Sequence, residues 1–210
     1  MTQEAISPRE RRYQRTQQAI LAAAREIIRS EGVAGLSMRA IAERIDYSPA
    51  GLYEYFGGKD EIIAAVCNEA FEQLAQALRN TDPTLPPAEH LRECGVNYVR
   101  FAIDNTDAFL LMFTHAPLLS IEQYPPAATL ESLLRQSQAF MVLHDAVERC
   151  VEAGLFATQP GRGVFEIAIA CWQMVHGMAM LAVTIMRQHQ PNLDAYRTSL
   201  DLLALGMIKR

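Results

Sequence analysis

Apolar residues recur at three- and four-residue spacing along nearly the whole chain, and glycine or proline residues interrupt this pattern between segments. Such spacing places apolar side chains along one face of an α-helix. The sequence contains no alternating pattern of useful length for strands, no internal repeat and no low-complexity tract. We therefore predict an all-α protein of about nine helices. Their predicted limits are about 9–31, 38–45, 48–57, 59–80, 87–104, 107–114, 126–153, 163–189 and 193–208.

The first predicted helix has one apolar face and a clear stop signal. Gly32 follows its last turn, and glycine commonly ends a helix. The residues expected on its inward face are Tyr13, Ile20, Ala24, Ile27 and Ile28.

Charge is distributed unevenly along the chain. Residues 1–60 contain nine Lys and Arg against eight Asp and Glu, whereas residues 61–210 contain ten against sixteen. The net charge of −5 excludes a uniformly basic nucleic-acid binder but leaves room for a local basic face. We expect two domains, at 1–60 and 61–210.

Cysteine usage and hydropathy suggest a cytoplasmic protein without a membrane span. The four cysteines are isolated within helical patterns, and the first fifteen residues contain no apolar stretch typical of a signal peptide. The longest apolar stretch, 167–186, contains Trp172, Gln173 and His176. We interpret it as a buried helix.

The segment 37–59, SMRAIAERIDYSPAGLYEYFGGK, has the pattern of two short helices joined by a tight turn. Ser37 and Ser48 are suitable N-caps, and Pro49 occupies the first helical position. Leu52 and Phe56 are spaced to anchor the second helix on a core. The outward face then carries Pro49, Ala50, Gly51, Tyr53 and Tyr55. We expect its backbone N–H groups to approach phosphates and its tyrosines to contact DNA, with Lys59 placed for a backbone phosphate.

Residues 12–65 closely resemble the DNA-binding domain of the TetR/AcrR family of repressors. The motifs that match are Leu36-Ser37-Met38-Arg39-Ala40-Ile41-Ala42 and the stretch from Ser48 to Lys59, without a gap. The resemblance implies a base contact for Arg39 and a phosphate contact for Lys59. It implies that Ser48, Pro49, Ala50 and Gly51 lead the recognition helix, and that Tyr53 and Tyr55 contact phosphates and bases. We include Ser37 in the predicted DNA-binding set.

The C-terminal half contains one informative motif, Trp172-x-x-x-His176-Gly177. It resembles the signature of the TetR C-terminal class named for Trp, His and Gly. By the same resemblance, the helices at about 163–189 and 193–208 form a homodimer interface as a four-helix bundle. Gly177, Ala179 and Ala182 suit close packing there, although an ordinary intramolecular core also explains these small residues.

A small-molecule pocket is expected among the middle helices. Aromatic, methionine and histidine side chains favour a mostly apolar effector, while the alternative is that they only fill the core. The candidates are Tyr98, Phe101, Phe109, Met112, Phe113, Met141, His144, Trp172 and His176.

Enzymatic and metal functions are not expected. The chain lacks a phosphate-binding loop, a dinucleotide fingerprint and a nucleophile elbow. The pairs His90–Cys94 and His144–Glu148 offer only two ligands each, so we predict no metal and no cofactor. The favoured hypothesis is a homodimeric repressor that a small molecule releases from a palindromic operator. The alternatives are an effector-independent regulator or activator, and a helical small-molecule-binding protein.

Overall fold

The computed structural model describes residues 7–115, 129–189 and 192–207, and these residues fold into helices connected by turns. The only extended pairing in these ranges is an isolated bridge between Gln159 and Arg162. The prediction of an all-α fold is therefore confirmed. The helices are α1 (Pro8–Gly35), α2 (Met38–Arg44), α3 (Pro49–Leu52), α4 (Lys59–Arg79), α5 (Pro87–Asp104), α6 (Thr106–Thr114), α7 (Leu130–Leu134), α8 (Gln138–Glu152), α9 (Val164–Val183) and α10 (Leu193–Met207).

The residues that the structure describes contain one α-helix more than predicted, because the segment expected as one helix at 126–153 is divided. Its residues 126–128 lie outside the described ranges. Ser137 begins a new helix by accepting a hydrogen bond from the backbone N–H of Phe140, at 3.4 Å. A serine favours such an N-cap and competes with helix continuation. The next predicted helix, at 163–189, ends early at Val183 and is followed by a short 3-10 helix, Arg187–His189.

Gly32 interrupts α1 as predicted, although a helical turn continues beyond it to Gly35. Its backbone has φ +73° and ψ 178°, a combination that is open almost only to glycine. One prediction for this helix was wrong: Tyr13 is exposed, whereas Ile20, Ala24, Ile27 and Ile28 are buried. Tyr13 precedes the part of α1 that the core covers.

The chain divides into two compact units. The first comprises the described parts of Met1–Glu69 and Leu110–Ile121, and the second those of Ala70–Phe109 and Glu122–Arg210. In the first unit α2 packs against both α1 and α3, and Ile20, Ile41 and Leu52 are fully buried. In the second unit α5, α8 and α9 pack against one another, while α10 packs on α5. The helix α4 contributes to both units.

Candidate nucleic-acid interface and ligand cavity

The turn between α2 and α3 is fixed by local hydrogen bonds. Asp46 adopts a left-handed conformation with φ +53°, and the N–H of Tyr47 donates to the carbonyl of Ala42 at 2.9 Å. This is the Schellman arrangement, which ends α2 and redirects the chain. Ser37 and Ser48 then cap α2 and α3, since each hydroxyl accepts a backbone N–H at 3.0 Å, from Ala40 and Gly51 respectively. Both serines therefore shape the helix-turn-helix.

The recognition element is shorter than predicted. Regular α-helix covers only Pro49–Leu52, and residues 53–55 continue as a tighter turn in which each N–H donates to the carbonyl three residues earlier. The anchors of this element, Leu52 and Phe56, are buried as predicted. The N–H of Gly51 is already engaged by Ser48, so it is not available for a phosphate in this conformation.

Three tyrosines pack together beside the recognition element. The rings of Tyr13 and Tyr55 stack with centroids 4.8 Å apart, and Tyr47 meets Tyr55 edge to face at 6.2 Å. This packing leaves Tyr55 half-buried, while Tyr53 is 57% exposed. The ring of Tyr47 requires a glycine at position 51, because a Cβ atom there would lie 2.6 Å from a ring carbon of Tyr47.

The two predicted cationic contacts differ in their surroundings. The side chain of Arg39 is 84% exposed and pairs with Glu43, one helical turn along the same surface, at 2.9 Å. Surface pairs of this kind are weak and exchange readily with other partners. The ammonium of Lys59 instead donates to the carbonyl of Val33 at 2.9 Å, which ties the start of α4 to the end of α1.

A basic segment not included in the predicted site lies near the recognition element. The first turns of α1 carry exposed Arg9, Arg11, Arg12 and Arg15. Tyr13 lies within this basic segment, and its ring stacks on Tyr55. The contact holds the basic segment beside the recognition element. The clustering of arginines is visible in the sequence, but the stacking contact that positions them is not.

In the second unit, four of the predicted pocket residues form an aromatic cluster: Tyr98, Phe109, Trp172 and His176. The indole N–H of Trp172 donates to the Tyr98 hydroxyl at 3.3 Å, and that hydroxyl lies 3.0 Å from Nδ1 of His176. Burial lowers the pKa of His176, which keeps the imidazole neutral at pH 7. Either atom can donate in the contact between the Tyr98 hydroxyl and Nδ1, because the direction depends on the imidazole tautomer.

Of the other predicted pocket residues, Met141 packs, like Trp172, against a buried cluster that includes Phe140 and Ile167. Phe101 is buried on α5, and Met141 and His144 are partly buried on α8. Met112 and Phe113 belong to the first unit rather than the second.

A cavity of about 440 Å³ lies among α5, α8, α9 and α10, within the range typical of small-molecule sites. None of the nine predicted pocket residues lines it. Its walls instead carry aliphatic side chains, Phe156, two cysteines and a few charged groups. Gly95, in the middle of α5, lets α10 approach closely beside this cavity, because a Cβ there would lie 2.9 Å from a side-chain carbon of Leu200.

The two residue pairs considered as metal ligands have different environments. Nδ1 of His90 lies 3.8 Å from Sγ of Cys94, whose thiol donates to the Thr81 hydroxyl. Burial raises the pKa of Cys94, so the protonated thiol is favoured over the thiolate that metals bind. His144 and Glu148 have ligand atoms within 4.8 Å of each other and of Asp145. Both carboxylates are exposed to solvent.

Comparisons with known proteins match both parts of the chain. Residues 20–66 match the family of bacterial regulatory proteins described as the tetR family, and residues 91–203 match the tetracyclin repressor-like C-terminal domain. An uncharacterised HTH-type transcriptional regulator of Mycobacterium tuberculosis is 39% identical over 71 residues. That alignment covers 34% of this chain and only 33% of the relative. YobS of Bacillus subtilis, also an uncharacterised HTH-type regulator, is 32% identical over 96 residues, 43% of this chain and 47% of YobS.

Solved structures share the fold over nearly the full length. A Rhodococcus protein of unknown function has a TM-score of 0.71 at 22% identity, covering 92% of this chain and 95% of its own. PfmR of Thermus thermophilus, a TetR family transcriptional regulator, has a TM-score of 0.62 at 23% identity, covering 98% and 100%.

The fold and the helix-turn-helix thus define an all-α, DNA-binding transcription regulator. Because the C-terminal family model covers more than half of the chain and the N-terminal model covers the helix-turn-helix, this protein belongs to the TetR family.

Proposed function

We propose that this regulator is a homodimeric repressor that a mostly apolar small molecule releases from a palindromic operator. The observation that supports this proposal most is the combination of an exposed recognition element in one unit and a 440 Å³ cavity in the other. The helix α4 belongs to the first unit up to Glu69 and to the second from Ala70, so it is the natural link between them. The proposal places the regulator in the cytoplasm.

We propose that the two units keep the roles expected from the sequence, with DNA binding near residues 1–60 and ligand binding and dimerisation in 61–210. Tyr53 and Arg39 are the proposed reading residues, since both side chains are largely exposed. The arginines of α1 supply phosphate contacts. Tyr55 and Lys59 are proposed to act mainly through structure, because each already has an intramolecular partner. Ser37, Ser48, Pro49, Ala50 and Gly51 shape the element.

The surfaces of α9 and α10 support dimerisation. The apolar stretch that we interpreted as a buried helix is mostly not buried within the protomer. By length and composition α9 is apolar enough to cross a membrane, yet only 22% of its most apolar window is buried. Ile185, just beyond α9, is 77% exposed, and Leu202 of α10 is 65% exposed. Large apolar side chains left exposed near one another favour an interaction site. We propose that the same helices of a second copy cover it, and that the motif of Trp172, His176 and Gly177 assigns this half to the Trp-His-Gly class.

Dimerisation also satisfies a requirement of DNA recognition. One recognition element contacts too few base pairs for selective binding, whereas two elements about 34–36 Å apart read successive major grooves. A ligand that binds more tightly to a conformation with a different separation must weaken operator binding. By thermodynamic linkage, the operator then weakens ligand binding by the same factor.

The test is fluorescence anisotropy with a labelled duplex from upstream of the gene. Tyr53→Ala and Arg39→Ala should each weaken binding by about tenfold or more, since base contacts are lost in both protomers. Glu43→Gln is the matched control: it frees Arg39 from its pair, so affinity should stay equal or rise. Wild-type affinity in both alanine variants would contradict the proposed reading surface.

Repression and ligand response are tested with the same DNA. A reporter under the upstream promoter should be more active in cells that lack the regulator, and added effector should release the purified protein. Lower reporter activity in those cells would identify an activator. A protein that binds no duplex would support the helical small-molecule-binding alternative.

A further inference from the structure

The cavity has a charged rim on one side. Arg92 of α5 donates to Asp201 of α10, with Nη1 and Oδ1 3.2 Å apart, and both residues line the cavity. Glu89, also in the lining, precedes Arg92 by three positions and therefore lies on the same face of α5. The rim thus carries two carboxylates and one guanidinium, so its net charge is negative.

The single guanidinium of the rim is already engaged. Nε of Arg92 lies 3.3 Å from a carboxylate oxygen of Glu93, in addition to the pair with Asp201. A second arginine, Arg197, donates to Glu93 and to Asp194. It does not bond to Asp201 in place of Arg92, so Arg92 stays engaged with that carboxylate. Glu89, in contrast, is exposed and takes part in none of the ion pairs that join Arg92, Glu93, Asp194, Arg197 and Asp201 in the described part of the chain. An incoming carboxylate would have to displace Asp201 from Arg92 and would then lie beside two carboxylates, those of Glu89 and Asp201. An incoming cation needs no such displacement and is attracted by the net negative charge of the rim.

The interior of the cavity is apolar and uncharged. Leu91, Leu143, Phe156 and Met174 contribute to its walls. The thiols of Cys150 and Cys171 also line it, and burial raises their pKa values to about 11 and about 12. Both thiols are therefore neutral at pH 7 and add no charge inside.

We propose that this cavity binds an apolar molecule with one cationic head, the chemistry of an alkylammonium ion, with the head between Glu89 and Asp201 and the chain in the interior. This inference rests on the proposed function, because it names the effector class of the same cavity. The head would bridge α5 and α10, the two helices that the ion pair between Arg92 and Asp201 already joins.

The experiment is isothermal titration calorimetry on the full-length protein at pH 7 with three ten-carbon probes below their micelle concentrations. The probes are decylammonium chloride, decan-1-ol and sodium decanoate, which share a chain and differ in the head. We expect decylammonium to bind most tightly and decanoate most weakly. Glu89→Gln and Asp201→Asn should each lower the decylammonium affinity about fivefold, as expected for a partly exposed charge contact, and leave decanol unchanged.

Glu152→Gln is the matched control, because this exposed carboxylate on α8 is not part of the cavity lining. It should leave all three affinities unchanged. Decanoate binding as tightly as decylammonium, decanol binding equally well, or rim variants without effect would each overturn the inference. A different result would contradict the proposed function: ligands that bind in the calorimetric titration but do not release the protein from DNA.

Discussion

Gly177 offers a test of the dimer in which the protomer and the interface predict opposite effects. It lies within α9 and is exposed, and a Cβ atom added there would meet no atom within 4 Å in the protomer. Glycine in a helix interior is about 1 kcal/mol less favourable than alanine. Within the protomer alone, Gly177→Ala should therefore raise the free energy of unfolding by about 1 kcal/mol.

If Gly177 lies in the proposed interface, the same substitution should weaken dimerisation although it stabilises the protomer. Gln173, Gly177 and Leu181 form an exposed stripe at four-residue spacing along α9. If a second copy packs closely on this stripe, each added methyl group costs about 1–3 kcal/mol through overpacking. Two-fold symmetry introduces two such groups, so the dimer should lose about 2 kcal/mol or more. That loss corresponds to a dissociation constant raised by at least about 30-fold.

Sedimentation equilibrium measures the dissociation constant, and urea unfolding at low protein concentration measures the stability of the protomer. Gly58→Ala is the control, because a Cβ at this position also meets nothing within 4 Å but lies in the first unit. It should leave the dimer unchanged. A more stable Gly177→Ala protomer with an unaltered or tighter dimer would refute the placement of this stripe in the interface.

Three further predictions concern local geometry and pH. Gly32→Ala should destabilise the first unit by about 1–3 kcal/mol in urea unfolding, because alanine is strained in this backbone conformation. The added Cβ itself meets no atom within 4 Å. An unchanged unfolding midpoint would contradict this prediction. Asp46→Val should cost about 1–2 kcal/mol in the same assay, since a β-branched residue resists the left-handed turn, whereas Asp46→Gly should not. Burial lowers the pKa of His176 below its ordinary 6.5, so the unfolded chain takes up the proton first and stability is lost as the pH falls below 6.5. Thermal unfolding measured against pH should show a smaller loss of stability at low pH in His176→Gln than in the wild type. The same pH dependence in both proteins would contradict this prediction.

The sequence predicts the helices well because each boundary depends on local chemistry. Gly32 ends the regular part of α1, and Ser37 and Ser48 cap the next two helices. The division between α7 and α8 is missed, because Ser137 lies within a continuous helical pattern and its capping role is not evident from periodicity.

The candidate sites are less predictable because they depend on contacts between distant segments. Tyr13 fits an inward helical position, and only the structure shows its ring on Tyr55, 42 positions away. The cavity rim likewise depends on the pair between Arg92 and Asp201, which are 109 positions apart. Periodicity identifies residues that face inward, but it does not tell which of them line an empty volume.

We propose that two copies of this chain read one DNA site through exposed residues of the helix-turn-helix. Sedimentation velocity with a labelled upstream duplex measures the number of protomers bound and the state of the free protein together. We expect two protomers per duplex for the wild type, and a Tyr53→Ala variant that remains dimeric but binds the duplex about tenfold or more weakly. A single bound protomer, or a variant that loses binding only because it has become monomeric, would contradict it.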